Sequence, residues 1–164
     1  MRVLGIDPGY AIVGVGVVDY IGSSFKTVYF TAVTTPAKTE FSLRLNSIYT
    51  DICNIIKEYK PDAMSIEKLY FNTNSTTAIE VAEARGVILL AARRLNVPVY
   101  EYTPLQVKQS VTGYGRAEKK QVMELTRMLL GLKKVPKPDD TADALGLAIC
   151  HAHCASSLLF NKNI

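Results

Sequence analysis

A change in hydrophobic period about 40 residues into the chain constrains the fold more than any other feature. Before it, three strand-like segments (3–6, 11–20 and 25–35) are separated only by short turns, so neighbouring strands should run antiparallel. After it, helices alternate with strands. The predicted later strands are 63–66 and 99–102, and the predicted helices are 41–59, 77–95, 104–111, 117–130 and 139–155. This order is typical of an α/β domain with a five-stranded mixed sheet, three antiparallel strands followed by parallel ones, and helices on both faces.

Composition adds few constraints beyond this architecture. The chain has 164 residues, of which 48% are hydrophobic and 21% charged, so it is long enough for one domain with a full core. We expect a single domain over 1–155 and a flexible tail over 156–164. No apolar run reaches the roughly 18 residues of a membrane span, and the N-terminus does not resemble a signal peptide. Three cysteines without a framework spacing favour reduced thiols and a cytoplasmic protein.

Four acidic residues, far apart in sequence, follow a predicted strand or open a predicted helix: Asp7, Glu67, Asp140 and Asp143. Ligand sites in such sheets collect beyond the carboxyl ends of the strands. Carboxylates gathered there repel one another unless a divalent cation lies between them. Hard cations such as Mg²⁺ prefer oxygen ligands, and two of them can clamp a phosphodiester during in-line attack by water. The pattern therefore predicts a metal-dependent enzyme that acts on phosphate.

Each acid also has a purely structural explanation. Asp7 could start a turn, and Glu67 could be an exposed acid in an ion pair. Asp140 and Asp143 lie in the first helical turns, where capping and the helix dipole favour acids. We expect Asp139 to provide the cap and the apolar residues after Asp143 to draw that carboxylate toward the interior. Both expectations favour a functional role for the pair.

Glycines are frequent after Asp7, at Gly9, Gly14 and Gly16. A glycine within or beside a strand lets a ligand or another stretch of backbone approach closely. The three glycines favour a role for Asp7 beyond turn formation, and the sequence leaves both kinds of approach open.

Positive charge is concentrated in residues 104–138, which carry a net charge of +6 in a chain whose total is +4. Lys119 and Lys120 open a helix, where the helix dipole disfavours lysine, and contact with phosphate would account for them. Lys108 on the preceding helix and Arg116 in the intervening glycine loop belong to the same strip. A basic strip beside an acidic cluster suits a polyanionic substrate, and the alternative is a solvated helical face.

Three further features have competing interpretations. Tyr70 and Phe71 follow Glu67 and could stack on bases or enter a DNA junction, or could anchor the core. Residues 150–154 read Cys-His-Ala-His-Cys, which suggests zinc, but no second ligand pair exists, so a buried helix is favoured. Small residues at positions 78, 82 and 86 permit close helix packing, within the core or across a dimer.

With these residues together, the chain resembles the RuvC family of Holliday-junction resolvases over residues 1–155. The match rests on several motifs: Leu4-Gly5-Ile6-Asp7-Pro8-Gly9, Ile66-Glu67, Ala84-Arg85-Gly86-Val87, Gln106-Val107-Lys108-Gln109, Ala117-Glu118-Lys119 and Asp140-Thr141-Ala142-Asp143-Ala144-Leu145. The first motif alone is weak, since actin-like ATPases and sugar kinases begin similarly.

The resemblance implies a ribonuclease H-like fold, a homodimer, and Mg²⁺-dependent nicking of two opposed strands at a four-way DNA junction, in recombination and repair. The four catalytic and metal-binding acids of the family fall on Asp7, Glu67, Asp140 and Asp143. Asp139 makes the third position ambiguous by one residue, and the spacing favours Asp140. The resemblance also implies a branch-migration motor as partner.

The family's DNA-contacting lysines fall on Lys108 and Lys119, and its junction aromatic falls on Tyr70, where Phe is usual. The expected mechanism uses two Mg²⁺ ions, with Mn²⁺ able to substitute, bridged by Asp7, and produces 5′-phosphate and 3′-hydroxyl ends. Two rival functions remain open from the sequence. These are an actin-like ATPase, for which the chain lacks the length of a second lobe, and a non-catalytic junction-binding module, which would leave the acids without a purpose.

Overall fold

A computed structural model describes residues 1–69 and 77–156 of the chain. Along this part of the chain, five strands and five helices follow one another in the order expected from the hydrophobic pattern. They are β1 (Arg2–Asp7), β2 (Ile12–Ile21), β3 (Ser24–Thr34), α1 (Phe41–Tyr59), β4 (Ala63–Glu67), α2 (Ala78–Arg94), β5 (Val99–Tyr102), α3 (Pro104–Thr112), α4 (Lys119–Leu129) and α5 (Asp139–Ser156).

The five strands form one mixed sheet in the order β3-β2-β1-β4-β5. The β1–β2 and β2–β3 pairs are antiparallel, because short turns join these strands. The β1–β4 and β4–β5 pairs are parallel, with α1 leading the chain from β3 into β4 and α2 leading it from β4 into β5. The predicted mixed sheet is confirmed. Its central strand is β1, which has β2 on one side and β4 on the other.

Helices cover both faces of this sheet, as predicted. On one face, α1 and α2 bury their apolar stripes against Leu4, Ile6 and the odd-numbered valines of β2. On the other face, α5 packs with α3 and α4 against Val3 and Val18. Within α5 the run from Thr141 to Ala152 is buried at every position except Asp143. This nearly continuous burial confirms the central position expected for the last helix.

The glycines of β1 and β2 allow α5 to lie directly on the sheet. A Cβ atom at Gly14 would come within 1.9 Å of the Asp140 carbonyl oxygen, and one at Gly5 would come within 1.9 Å of the Ala144 carbonyl oxygen. At Gly5 and Gly14, the group that approaches the glycine closely is therefore the backbone of α5. At Gly9, a Cβ atom would lie 2.2 Å from the carbonyl oxygen of Ile12, so this glycine serves the tight turn after β1.

Two helix starts differ from the prediction. The helix expected from residue 117 begins at Lys119, because Glu118 is extended and its backbone N–H donates to the Gln121 side chain at 2.9 Å. Asp139, expected as a cap, is the first residue of α5, and its carboxylate accepts a hydrogen bond from Lys137 at 2.6 Å. In the described part of the chain, no helix has the length and apolar character needed to cross a membrane.

Candidate active site

The ends of β1 and β4 bring two of the predicted acids together. These strands are parallel neighbours, with Ile6 opposite Ile66, so Asp7 and Glu67 leave the sheet side by side as the last residues of their strands. Their carboxyl groups are hydrogen-bonded to each other. Two residues separated by 60 positions in sequence therefore meet because of the parallel pairing.

The first two turns of α5 bring the other two acids to the same place. The Asp140 backbone lies against Gly14, which pairs with Asp7 in the β1–β2 ladder. The charges of Asp143 and Asp140 both raise the pKa of Asp7. The structure thus brings together the four acids that the sequence singled out.

Burial and mutual repulsion dominate the electrostatics of this cluster. Loss of solvation is the largest cause, and the charges of Glu67, Asp143 and Asp140 add to it, so that the pKa of Asp7 rises to about 8. The pKa of Glu67 is also raised, first by burial and then by the charge of Asp143, while its hydrogen bond with Asp7 acts in the opposite direction. In the protein without a cation, Asp7 and Glu67 together therefore hold a proton near neutral pH.

Lys119 supplies the positive charge nearest to the cluster. Its Nζ lies 2.9 Å from Asp143 Oδ2 and 3.8 Å from Asp139 Oδ2, and the hydrogen bond to Asp143 raises the pKa of the lysine. Since Lys119 is the first residue of α4, this contact ties α4 to α5 across the site. A residue predicted to bind phosphate is thus also a neighbour of the carboxylates.

The donor set suits a hard divalent cation, because all four side chains offer carboxylate oxygens and their negative charges add to burial in raising the pKa of Asp7. As the side chains stand, no three Asp, Glu, His or Cys residues within 1–69 and 77–156 converge closely enough to hold a metal ion. The Asp7–Glu67 hydrogen bond and the Lys119–Asp143 ion pair engage some of the carboxylate oxygens.

A cavity of about 260 Å³ opens beside the carboxylates. Its charged walls are Glu67, Asp143, Lys108 and Lys119, and its apolar walls come from α3, α4 and α5. Lys108 and Lys119 therefore line the same cavity, and their contact with phosphate stays a prediction. The cavity therefore presents both carboxylates and ammonium groups on its walls.

The remaining predicted DNA contacts lie farther out or outside the described residues. Arg116 is exposed in the loop before α4, and Lys120 lines a second cavity, of about 430 Å³, with Tyr114. Tyr70 and Phe71 lie outside the described residues. At the other end of α5, Cys150 is buried against Tyr102 and Leu147, which fits the predicted core helix.

Sequence reasoning missed the role of Arg85 as a neighbour of the site. Its Nε lies 3.4 Å from the backbone carbonyl oxygen of Glu67, and its Nη2 forms an ion pair with Glu101. These contacts join residues 16 and 18 positions apart in sequence. The motif Ala84-Arg85-Gly86-Val87 drew attention to Arg85, but nothing in its local pattern indicates which carbonyl or carboxylate it meets.

Comparison with known proteins assigns the chain to a family. The model of the family described as crossover junction endodeoxyribonuclease RuvC matches residues 3–151. The chain belongs to the RuvC family. A RuvC from Clostridioides difficile is 58% identical over 164 residues, which cover 100% of this chain and 97% of the relative. A RuvC from Brevibacillus brevis is 56% identical over 164 residues, which cover 100% of this chain and 99% of the relative.

Solved RuvC structures share this architecture. The structure of Thermus thermophilus RuvC superposes with a TM-score of 0.88 at 36% identity and covers 94% of this chain and 95% of that one. The structure of T. thermophilus RuvC in complex with a Holliday junction substrate gives a TM-score of 0.90 at 36% identity and covers 94% of each chain. The ribonuclease H-like fold that the resemblance implied is thereby confirmed for this RuvC-family chain.

Proposed function

We propose that this chain is a crossover junction endodeoxyribonuclease that resolves Holliday junctions in DNA recombination and repair. The relatives that match it over its whole length carry this enzyme name, and the T. thermophilus relative was solved with a Holliday junction substrate. The observation that carries the proposal is the meeting of Asp7 with Glu67, Asp140 and Asp143 next to a cavity that also presents two lysines.

In this proposal Asp7, Glu67, Asp140 and Asp143 hold two Mg²⁺ ions, for which Mn²⁺ can substitute. RuvC-family nucleases depend on metal ions, and an all-carboxylate donor set with surplus negative charge suits them. Divalent cations bound here would lower the pKa of an attacking water and stabilise the charge on the leaving 3′ oxygen. The carboxylates of the chain orient the reacting groups, because they extend from the ends of two paired strands and a buried helix.

Lys108 and Lys119 hold the phosphate backbone of the cut strand in the same proposal. Both line the cavity beside Glu67 and Asp143, and the 56% exposure of the Lys119 side chain leaves it free to turn from Asp143 toward a phosphate. Arg116 and Lys120 extend this positive surface along the loop and the start of α4. Tyr70 and Phe71 are kept as proposed DNA contacts from the sequence and the resemblance alone.

We infer that the enzyme acts as a homodimer, because two paired cuts require two sites related by the symmetry of the open junction. The exposed side of α2 supports this inference. Ile79 is 74% exposed and Leu90 is 50% exposed, and they lie on one side of the helix with Gly86, where a Cβ atom would meet nothing within 4 Å. The branch-migration motor remains a prediction from the resemblance, and the cytoplasmic location remains a prediction from the cysteines.

A nicking assay on a synthetic four-way junction, with and without Mg²⁺, tests the proposal. The chain should cut two opposed strands symmetrically in Mg²⁺ and leave ends that a ligase can seal, whereas Asp7→Asn should bind the junction without cutting it. Asp62→Asn is a matched control at the opposite end of β4, where the asparagine oxygen can still accept from the Arg2 backbone N–H. Binding of the junction without any Mg²⁺-dependent cutting would favour a non-catalytic junction-binding module. ATP turnover by the pure protein would favour an actin-like ATPase.

A further inference from the structure

Arg85 links α2 to the ends of two strands of the sheet. Its side chain is only 15% exposed, and the guanidinium uses one edge to reach the Glu67 carbonyl through Nε and the Glu101 carboxylate through Nη2. The first contact is at the end of β4 and the second is within β5. A guanidinium suits this task because its donors lie in a rigid plane and can serve two acceptors at once.

Glu67 needs support from outside the sheet because its own strand pairing is incomplete. The β1–β4 ladder ends at the pair Ile6–Ile66, so β1 does not hold the residue that follows. On the other side Glu67 still pairs with Tyr102 of β5, and the Lys68 N–H donates to the Tyr102 carbonyl at 2.9 Å. The catalytic acid is thus anchored on one side by β5, and Arg85 provides the contact from α2.

We propose that Arg85 is a positioning residue that fixes the backbone of Glu67 so that its carboxylate stays beside Asp7. Glu101 holds the guanidinium in place, because its carboxylate accepts a hydrogen bond from Arg85 Nη2. This inference rests on the proposed function for the role of Glu67, and it adds a residue that is not among the predicted metal or DNA contacts. Since α2 also carries the exposed residues Ile79 and Leu90, the contact connects the proposed dimer surface to the catalytic acid.

The test compares Arg85→Met with Arg93→Met, a matched change near the end of the same helix at an exposed position. Two quantities are measured for each variant: the Mn²⁺ affinity of the DNA-free protein by titration calorimetry, and the nicking rate on a four-way junction. Loss of residues that orient metal ligands typically lowers metal affinity or activity by about 10- to 100-fold. We expect a loss of this size for Arg85→Met, an intermediate loss for Arg85→Lys, and none for Arg93→Met.

A double-mutant cycle distinguishes positioning from a general loss of structure. If Arg85 acts through Glu67, then Arg85→Met should lower Mn²⁺ affinity in the wild type but have little further effect in Glu67→Gln. Equal losses in both backgrounds would overturn the proposal, as would a lowered melting temperature with unchanged Mn²⁺ affinity. If Arg85→Met does not fold, Glu101→Ala replaces it, because alanine cannot accept the hydrogen bond from Arg85 and position 101 is 44% exposed. Wild-type Mn²⁺ affinity in that variant would equally overturn the proposal.

The experiments distinguish a failure of the proposed function from a failure of the positioning role of Arg85. A wild-type protein that binds Mn²⁺ but does not cut the junction would contradict the proposed function and leave the positioning role to be decided by Mn²⁺ affinity. A wild-type protein that cuts the junction, alongside an Arg85→Met variant that cuts equally well and binds Mn²⁺ equally well, would contradict only the positioning role.

Discussion

Substitution of Asp7 by asparagine should change the pH dependence of stability in the metal-free protein. In the folded chain the pKa of Asp7 is raised from 3.8 to about 8 by burial and by the neighbouring carboxylates. Between these two values the unfolded chain has lost the proton and the folded chain retains it. Stability that is fully present below pH 3.8 is therefore lost as pH rises toward 8.

The size of the effect follows because the folded chain binds one more proton than the unfolded chain in this pH window. The free energy of unfolding should fall by about 1.4 kcal/mol for each pH unit in this window, or by roughly 2.7 kcal/mol between pH 5 and pH 7. For a protein of this length, that loss corresponds to a fall of roughly 5 to 11 °C in the melting temperature. Asparagine has no proton to exchange, so Asp7→Asn should show a flatter profile and greater stability at pH 7.

Thermal or urea unfolding in a chelating buffer at several pH values measures the profile directly. The Asp62→Asn variant is the control, since it removes an acid at the opposite end of β4 without touching the cluster. Addition of Mg²⁺ or Mn²⁺ should flatten the wild-type profile, because the cation replaces the proton. The reasoning would be refuted if wild-type stability did not fall between pH 5 and pH 7, or if Asp7→Asn fell as steeply as the wild type.

Three further outcomes are expected. Gly14→Ala should lower stability and weaken Mn²⁺ binding in calorimetry, because the new methyl group would lie 1.9 Å from the Asp140 carbonyl oxygen and displace the start of α5; unchanged values would contradict this packing. Lys119→Ala should weaken junction binding and reduce the slope of affinity against salt by about one unit, and an unchanged slope would remove Lys119 from the phosphate contacts. Ser65→Ala should destabilise the protein by about 1 kcal/mol in urea unfolding, because the buried Ser65 Oγ donates to the Leu147 carbonyl at 2.7 Å; no change would show that this bond has little net value.

The order and type of the elements could be predicted because each carries a local signal. The valine-rich β2 ends in a turn at Gly22, whose φ of +63° suits glycine, and α3 begins with a Thr103–Gln106 capping box and ends at a left-handed Gly113. The beginning of α5 was harder to predict. Its acids all suit a helix start, and the contacts with Lys137 and Lys119 show that Asp139 is paired with lysines rather than capping.

The site could be predicted only in part. Residue types indicate which side chains can bind metal or phosphate, but they do not indicate which side chains contact one another. The acids stood out since each follows an apolar strand or opens an apolar helix. The Lys119–Asp143 ion pair and the contact between Arg85 and the Glu67 carbonyl depend on how α4 and α2 sit on the sheet. The spacing of residues along the sequence does not determine these distances, so the contacts are seen only in the folded structure.

Packing of α5 explains how the fold tolerates a cluster of groups that repel one another. Without a cation, the carboxylates would separate if their supports could move. Two of the supports are adjacent strands of a continuous sheet, and the third is a helix whose backbone fits into spaces left by Gly5 and Gly14. Any movement of α5 away from the sheet would open a gap along its buried length from Thr141 to Ala152, and such cavities are costly. Repulsion is therefore relieved by a proton on the Asp7–Glu67 pair and by Lys119, both of which a divalent cation can replace without moving the frame.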